Sequence, residues 1–364
     1  MIAPIMLATI SLAGKAGGLE KNIVYLCNEL VESGKKVILL TFDFASAETF
    51  YELNSNVRWI KVGISEPHTR MSITQKIQLV KAIRENIKNH DIGKIICFTH
   101  GILSRFLLAS FGLNADIICA ERNSITMYDF IGQKKWNINF ISLLFTKAIT
   151  VQFDEYQSDY PIWLRQKITT VNNPIFHQTK NADLSSKTIL AIGRLATQKR
   201  FDLLIQAFAI VIKDWPEWHL KIIGEGHMKT DLSHLIAELG LASSVTIIPP
   251  THSLEQHYEN SSIFAISSQW EGFPNALAEA ISYGMLAVGF NQTAGVNKLI
   301  NNEKNGILAY GIPSKETLAD AISTLLKRHK DWPKMSVNSK NISKIFSFHN
   351  WRSQWKQVLD AKSE

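Results

Sequence analysis

The sequence predicts an α/β chain built as two doubly wound parallel sheets. Two observations carry that prediction. Short apolar runs of strand length alternate with helical patterns along most of the 364 residues. The alternation thins once, around Val171-Asn172-Asn173-Pro174 and the polar stretch 177–187, and then restarts. With 46% hydrophobic and 20% charged residues, the chain has enough apolar material for two cores.

In the first half, strands are expected at Ile5–Ser11, Lys36–Phe42, Val57–Val62, Lys94–Thr99, Asp116–Ala120 and Ala148–Phe153. Helical periodicity between them includes Leu19–Ser33 and Ile73–Asn89. In the second half, strands are expected at Thr188–Ile192, His219–Ile223, Val245–Ile248, Ile263–Ile266 and Leu286–Phe290. Helices there include the run from Phe201, Lys229–Leu239 and Glu316–Lys327, and the tail from Phe346 is amphipathic. Met1–Ile10 has no positive leader and runs into Gly14-Lys15-Ala16-Gly17-Gly18. It reads as a first strand and phosphate-type loop, not as a secretion signal. No stretch has the roughly 18–20 continuous apolar residues of a spanning helix. Cys27, Cys97 and Cys119 lie in apolar surroundings without metal-ligand spacing, as reduced thiols of a cytoplasmic protein do.

The chemistry concentrates after two strands of the second half. Glu271-Gly272-Phe273-Pro274-Asn275-Ala276-Leu277-Ala278-Glu279 follows the run Ile263–Ile266 and crosses a loop-to-helix junction. Pro274 suits the first turn and Asn275 the cap. Backbone N–H groups at such a start attract anions, and a fixed carboxylate accepts two hydrogen bonds from a ribose diol. The bland alternative is an ordinary helix start with a capping carboxylate. Gly193-Arg194 and Lys199 leave another strand, where two cations suit a diphosphate, arginine as a fork and lysine as a point charge. Basic residues in such a place are otherwise a solvated loop. Gly17-Gly18, at a helix start, reads as an anion nest, though a Gly-Gly pair alone is weak evidence, and Gly224-Glu225-Gly226, after a strand, reads as the frame of a base pocket or, at Glu225, as plain surface. His100 and Arg122, after strands of the first half, are candidates for positioning the acceptor or the donor sugar. A histidine in such a place is more often a plain loop histidine.

On Gly193-Arg194 with Lys199, Gly224-Glu225-Gly226, the Glu-x7-Glu pair, Gly17-Gly18-x-Glu20, Asn173-Pro174 and Asn305-Gly306-Ile307-Leu308, the chain resembles family 4 of the retaining glycosyltransferases, which have the GT-B fold. The motifs span nearly the whole chain in the family's order. The resemblance implies an acceptor-binding domain over 1–172, a linker over 173–186 and a nucleotide-sugar-binding domain over 187–345, the two facing a central cleft. A helix over 346–364 would return to the first domain. It implies that Arg194 and Lys199 neutralise the diphosphate and that Glu279 holds the ribose. Glu271 and the backbone of 272–275 would grip the donor sugar and its phosphate, and Gly17 and Gly18 would close over the diphosphate. The leaving phosphate is then expected to take the acceptor proton, with no metal and no cofactor. Two departures stand out. Arg122 occupies a place where many members carry a histidine, and Gly295-Val296-Asn297-Lys298 replaces Gly-Pro-x-Glu.

Net charge is +7, with +5 on residues 1–180 and +2 on the rest. A cationic first half fits an anionic membrane or a lipid-linked diphosphate acceptor. Lys134, Lys135 and Trp136, followed by Ile138, Phe140, Ile141 and Leu144, read as a membrane-docking amphipathic helix, or as a helix packed on its own sheet. No basic run or stacking-aromatic array points to nucleic acid. The expected activity is transfer of a hexose or N-acetylhexosamine from a nucleotide sugar, UDP favoured over GDP, to a growing, lipid-linked glycan at the inner face of the plasma membrane. A nucleotide-sugar epimerase of the same fold and an NAD-dependent Rossmann oxidoreductase are the alternatives, though Gly14–Gly18 lacks the Gly-x-Gly-x-x-Gly register.

Overall fold

The computed structural model describes residues 3–14, 17–67, 69–131, 137–251 and 253–361. It comprises two compact units, Met1–Val171 with Trp355–Glu364, and Asn172–Gln354.

The first unit is one parallel sheet of seven strands. They are β1 (Ile5–Thr9), β2 (Val37–Thr41), β3 (Arg58–Lys61), β4 (Lys94–Phe98), β5 (Asp116–Ala120), β6 (Ala148–Val151) and β7 (Ile168–Thr170). Every residue of β1 and β2 is buried, as strands covered on both faces must be, so they read as unbroken apolar runs. The order is β3-β2-β1-β4-β5-β6-β7. The winding therefore reverses between β1 and β4, and the loops leaving those two strands part to open a crevice. Helix Gly18–Glu32, after β1, buries Ile23, Val24, Leu26, Cys27 and Leu30 against the sheet. Helix Ile73–Asn89 begins at a reciprocal capping box between Ser72 and Gln75.

The second unit holds a parallel sheet of β8 (Thr188–Ile192), β9 (His219–Ile223), β10 (Val245–Ile248), β11 (Ile263–Ile266), β12 (Leu286–Phe290) and β13 (Gly306–Ala309). Its order, β10-β9-β8-β11-β12-β13, reverses between β8 and β11. Leu204 and Phe208 of helix Phe201–Val211 join Trp218, Ile222 and Val288 in its core.

Two strands were not expected from the sequence. β7 is only three residues, two of them threonine, and β13 opens on a glycine. At Gly306 a Cβ would lie 2.1 Å from the Ala287 carbonyl oxygen, so the close approach of β12 requires glycine there. Asn305 accepts from the Asn301 N–H and donates to the Leu299 carbonyl, closing the turn ahead of β13. Within 173–186, Ile175 N–H bonds the Phe346 carbonyl at 2.7 Å and Ala182 N–H the Tyr283 carbonyl at 2.8 Å, so this stretch is tied down on the second unit. Helix Phe348–Asp360 begins in the second unit and, from Trp355, ends in the first.

Candidate active site

In the second unit the two loops at the switch point are stitched together. Gln198 Nε2 donates to the Trp270 carbonyl at 2.8 Å, Gln269 N–H to the Gln198 carbonyl at 2.8 Å, and Ser267 Oγ to the Lys199 carbonyl at 2.8 Å. Across this seam Lys199 Nζ meets Glu271 Oε1 at 2.6 Å, with the lysine side chain 21% and the glutamate 8% exposed. The lysine stem crosses Gly193, where a Cβ would stand 3.1 Å from its Cε, so glycine at 193 leaves the stem its path. Arg194, the next residue along the loop, is exposed. Residues 72 positions apart thus form a pre-set cation–carboxylate pair at the carboxyl edge of the sheet.

Gly224 and Gly226 serve that loop by their lack of side chains. A Cβ at Gly224 would lie 2.0 Å from the Gly193 carbonyl oxygen, and one at Gly226 would lie 2.2 Å from that of Leu195. Leu195 N–H bonds the Glu225 carbonyl at 2.8 Å, so the loop after β9 braces the loop after β8. Arg200, directly after Lys199, is left-handed at φ 48° and ψ 44°, a strained state for a non-glycine residue.

Helix Asn275–Ser282 starts one residue away from the expected arrangement. Pro274 is its N-cap, Asn275 is the first helical residue, and no side chain caps the start. Asn275 does not cap because its Oδ1 accepts from Asn173 Nδ2 at 3.0 Å. The first-turn N–H groups, those of Ala276 and Leu277 among them, therefore suit an anion. The Leu277 side chain itself is fully buried, and buried Phe273 packs edge-on against Phe346. Gly272 and Pro274 are buried in the same loop. Glu279, one turn in, accepts from Tyr258 Oη at 2.9 Å. Burial first, and Glu279 second, hold the Tyr258 phenol well above its usual pKa. Sequence reading missed Tyr258, whose only signal was an aromatic residue in a short helix ahead of β11.

In the first unit, Gly17 is the N-cap of helix Gly18–Glu32, again with no side-chain cap. A Cβ at Gly17 would lie 2.1 Å from Glu20 Oε2, so the glutamate folds back over the turn. Across the switch point, after β4, His100 is 6% exposed and paired with Glu121. Glu121 Oε1 accepts from His100 Nδ1 at 2.7 Å, from the His100 backbone N–H at 2.8 Å and from Cys119 Sγ at 3.3 Å. His100 Nε2 meets the Tyr128 hydroxyl. Burial opposes the imidazolium, yet the charge and hydrogen bond of Glu121 prevail and raise the His100 pKa. Burial likewise opposes the Glu121 carboxylate, and the His100 cation overrides it and lowers the pKa. Thr99, immediately before His100, has φ 71° and ψ 154°, a region kept for glycine. His100 is therefore no plain loop histidine in its packing. Glu121 and Tyr128 were not foreseen.

Arg122 is 8% exposed, its guanidinium 5.3 Å from the Phe98 ring and 5.6 Å from the Trp355 ring. Burial lowers its pKa to about 10 against the pull of Glu121 and Cys119. The histidine with a carboxylate partner stands one strand earlier, at His100. Lys134, Lys135 and Trp136 lie outside the described residues. Beyond them, helix Ile138–Ile141 is one turn long and continues as a 3-10 turn, Ser142–Phe145, with Phe140 buried and Ile138 and Ile141 exposed. All three cysteines are free and buried, and burial raises each thiol pKa.

Comparison with known proteins gives the same outline. Residues 172–342 match the family described as glycosyl transferases group 1. An uncharacterized glycosyltransferase of Haemophilus influenzae is 28% identical over 95% of this chain and 97% of its own. The amylovoran biosynthesis glycosyltransferase AmsD of Erwinia amylovora is 26% identical over 70% of this chain and 75% of its own. A crystal structure of Anabaena HepE in complex with UDP and glucose superposes with a TM-score of 0.79 at 16% identity, covering 99% of this chain and 100% of that one. The fold is thus GT-B, with two Rossmann-like domains.

Proposed function

We propose that this chain, whose residues 172–342 belong to the glycosyl transferases group 1 family, is a retaining hexosyltransferase. It transfers a hexose or N-acetylhexosamine from a UDP-sugar to a growing, lipid-linked glycan in polysaccharide assembly at the inner face of the plasma membrane. The observation that carries this reading is the Lys199–Glu271 pair at the switch point of the second sheet, with Arg194 exposed on the same loop as Lys199.

Breaking the anomeric C–O bond places positive charge on the sugar ring and negative charge on the departing diphosphate. Arg194 and Lys199 stabilise the departing charge where it develops. Glu271 holds Lys199 in place until the donor arrives and then faces the sugar. Glu279, steadied by Tyr258, takes the ribose hydroxyls. The uncapped start of helix Asn275–Ser282 receives a phosphate oxygen. In this reading the diphosphate is neutralised by these side chains, without a metal or cofactor. The names of relatives support the substrate class: AmsD is a polysaccharide-biosynthesis glycosyltransferase, and HepE holds UDP and glucose.

A panel of UDP- and GDP-sugars, with the product anomer read by NMR and EDTA present throughout, tests the reading. Lys199→Ala is expected to lower turnover by about 10²–10³, and Glu279→Ala to weaken UDP binding measured by calorimetry. UDP binding equal to the parent's in both variants would remove the site assignment. UDP-sugar isomerisation without an acceptor would make the chain an epimerase instead.

A further inference from the structure

Where the chain enters β2 to β7 of the first sheet, a charged residue stands at the first position or just before it. These are Lys36, Arg58, Lys94, Asp116, Lys147 and Lys167. Because every strand pair is parallel, all six lie along one margin, the amino edge. Five are cations. The one acid, Asp116, is shared between Lys94 at 3.5 Å and Lys147 at 2.6 Å. His100, Arg122 and the glycine loop all leave the opposite, carboxyl edge, so the crevice makes no use of this row.

The same margin carries large exposed apolar side chains. Leu108 is 67% exposed, Phe111 83%, Leu144 40% and Phe145 71%. Phe111 and Phe145 line one open cleft with Asp116 and Lys147. Cations hold the very backbone that presents them: Arg84 donates to the Phe111 carbonyl at 2.8 Å, and Lys167 to the Leu144 carbonyl at 2.7 Å. Exposed apolar groups of this size, ringed by lysine and arginine, call for a covering surface.

We propose that the amino edge of the first sheet docks on an anionic phospholipid surface, Phe111 and Phe145 inserting among acyl chains while Lys36, Arg58, Lys94, Lys147 and Lys167 face the headgroups. Charge decides between this and a second copy of the chain, since two such faces would set like cations against each other, whereas anionic headgroups complement them. The assignment rests on the membrane-side acceptor in the function proposed above, and it supplies the surface.

The test is co-sedimentation of the full chain with vesicles of phosphatidylglycerol and phosphatidylcholine in about equal parts, and with phosphatidylcholine alone. The parent is expected to bind the anionic vesicles, with release as salt rises. Phe111→Ser with Phe145→Ser is expected to weaken that partition at least about tenfold, and Lys36→Glu with Arg58→Glu about tenfold on anionic vesicles only. Circular dichroism and the melting shift on adding UDP are read in every variant. No binding of the parent to anionic vesicles, or equal binding of the phenylalanine variant, overturns the proposal. So does a parent dimer that the phenylalanine variant dissolves, which would make a second copy the occupant. A parent that binds vesicles but shows no UDP shift leaves the docking surface standing and removes the transferase reading instead.

Discussion

Glu121 and His100 are each driven away from their ordinary titration range by the other. A histidine whose pKa is raised in the fold stabilises below its ordinary range and loses that contribution as pH climbs through the raised value. A carboxylate whose pKa is lowered stabilises above its ordinary range and loses that contribution as pH falls through the depressed value. The pair therefore contributes most between the two. Glu121→Gln is expected to cost about 3 kcal/mol in that window, with the difference from the parent shrinking at both acid and alkaline ends. Chemical denaturation across pH checks it, and a pH-independent difference would mean that the pair is not ionic. His100 was legible as a candidate because it follows a strand at the ligand edge. Its partner was not, since Glu121 lies 21 residues away and only the pairing of β4 with β5 brings the two together.

At the scale of elements, a fixed spacing of strands and helices made both sheets readable. Buried parallel strands are apolar on both faces, so short apolar runs announced eleven of the thirteen strands, β8 to β12 with the very bounds observed. β7 and β13 escaped because edge strands need fewer apolar residues and β13 opens on glycine. The helix after β11 was expected, yet its cap was misplaced by a residue, because Asn275 spends its side chain on Asn173 and leaves Pro274 at the cap. The loops show why their glycines are needed. Gly224→Ala is expected to push the loop after β8 away, because the added methyl would meet a carbonyl oxygen at 2.0 Å. A loss of about 1–3 kcal/mol and weaker UDP binding should follow in thermal melts with and without nucleotide. An unchanged melt with unchanged binding would show that the two loops are not braced against each other.

At the scale of the whole chain, the first unit is completed by the last turns of the sequence. Trp355 is 2% exposed and lies on the face of Arg122. Trp355→Ala is expected to cost about 3–5 kcal/mol, and the loss should fall on the first unit. Hydrogen exchange should quicken in β1 and β4 while β8 and β11 keep their protection. Equal loss in both sheets would show that the units unfold together.

The sheet edge carrying the basic row has a further meaning for reach. The strands of the first unit are four or five residues long over β1 to β6, so each advances roughly 15 Å from one margin to the other. A bilayer docked at the amino margin, as proposed above, would stand off from the carboxyl margin by about that span. With the lipid-linked acceptor proposed above, the fold would act as a ruler, favouring acceptors whose sugar stem already rises well clear of its lipid and passing over those just begun.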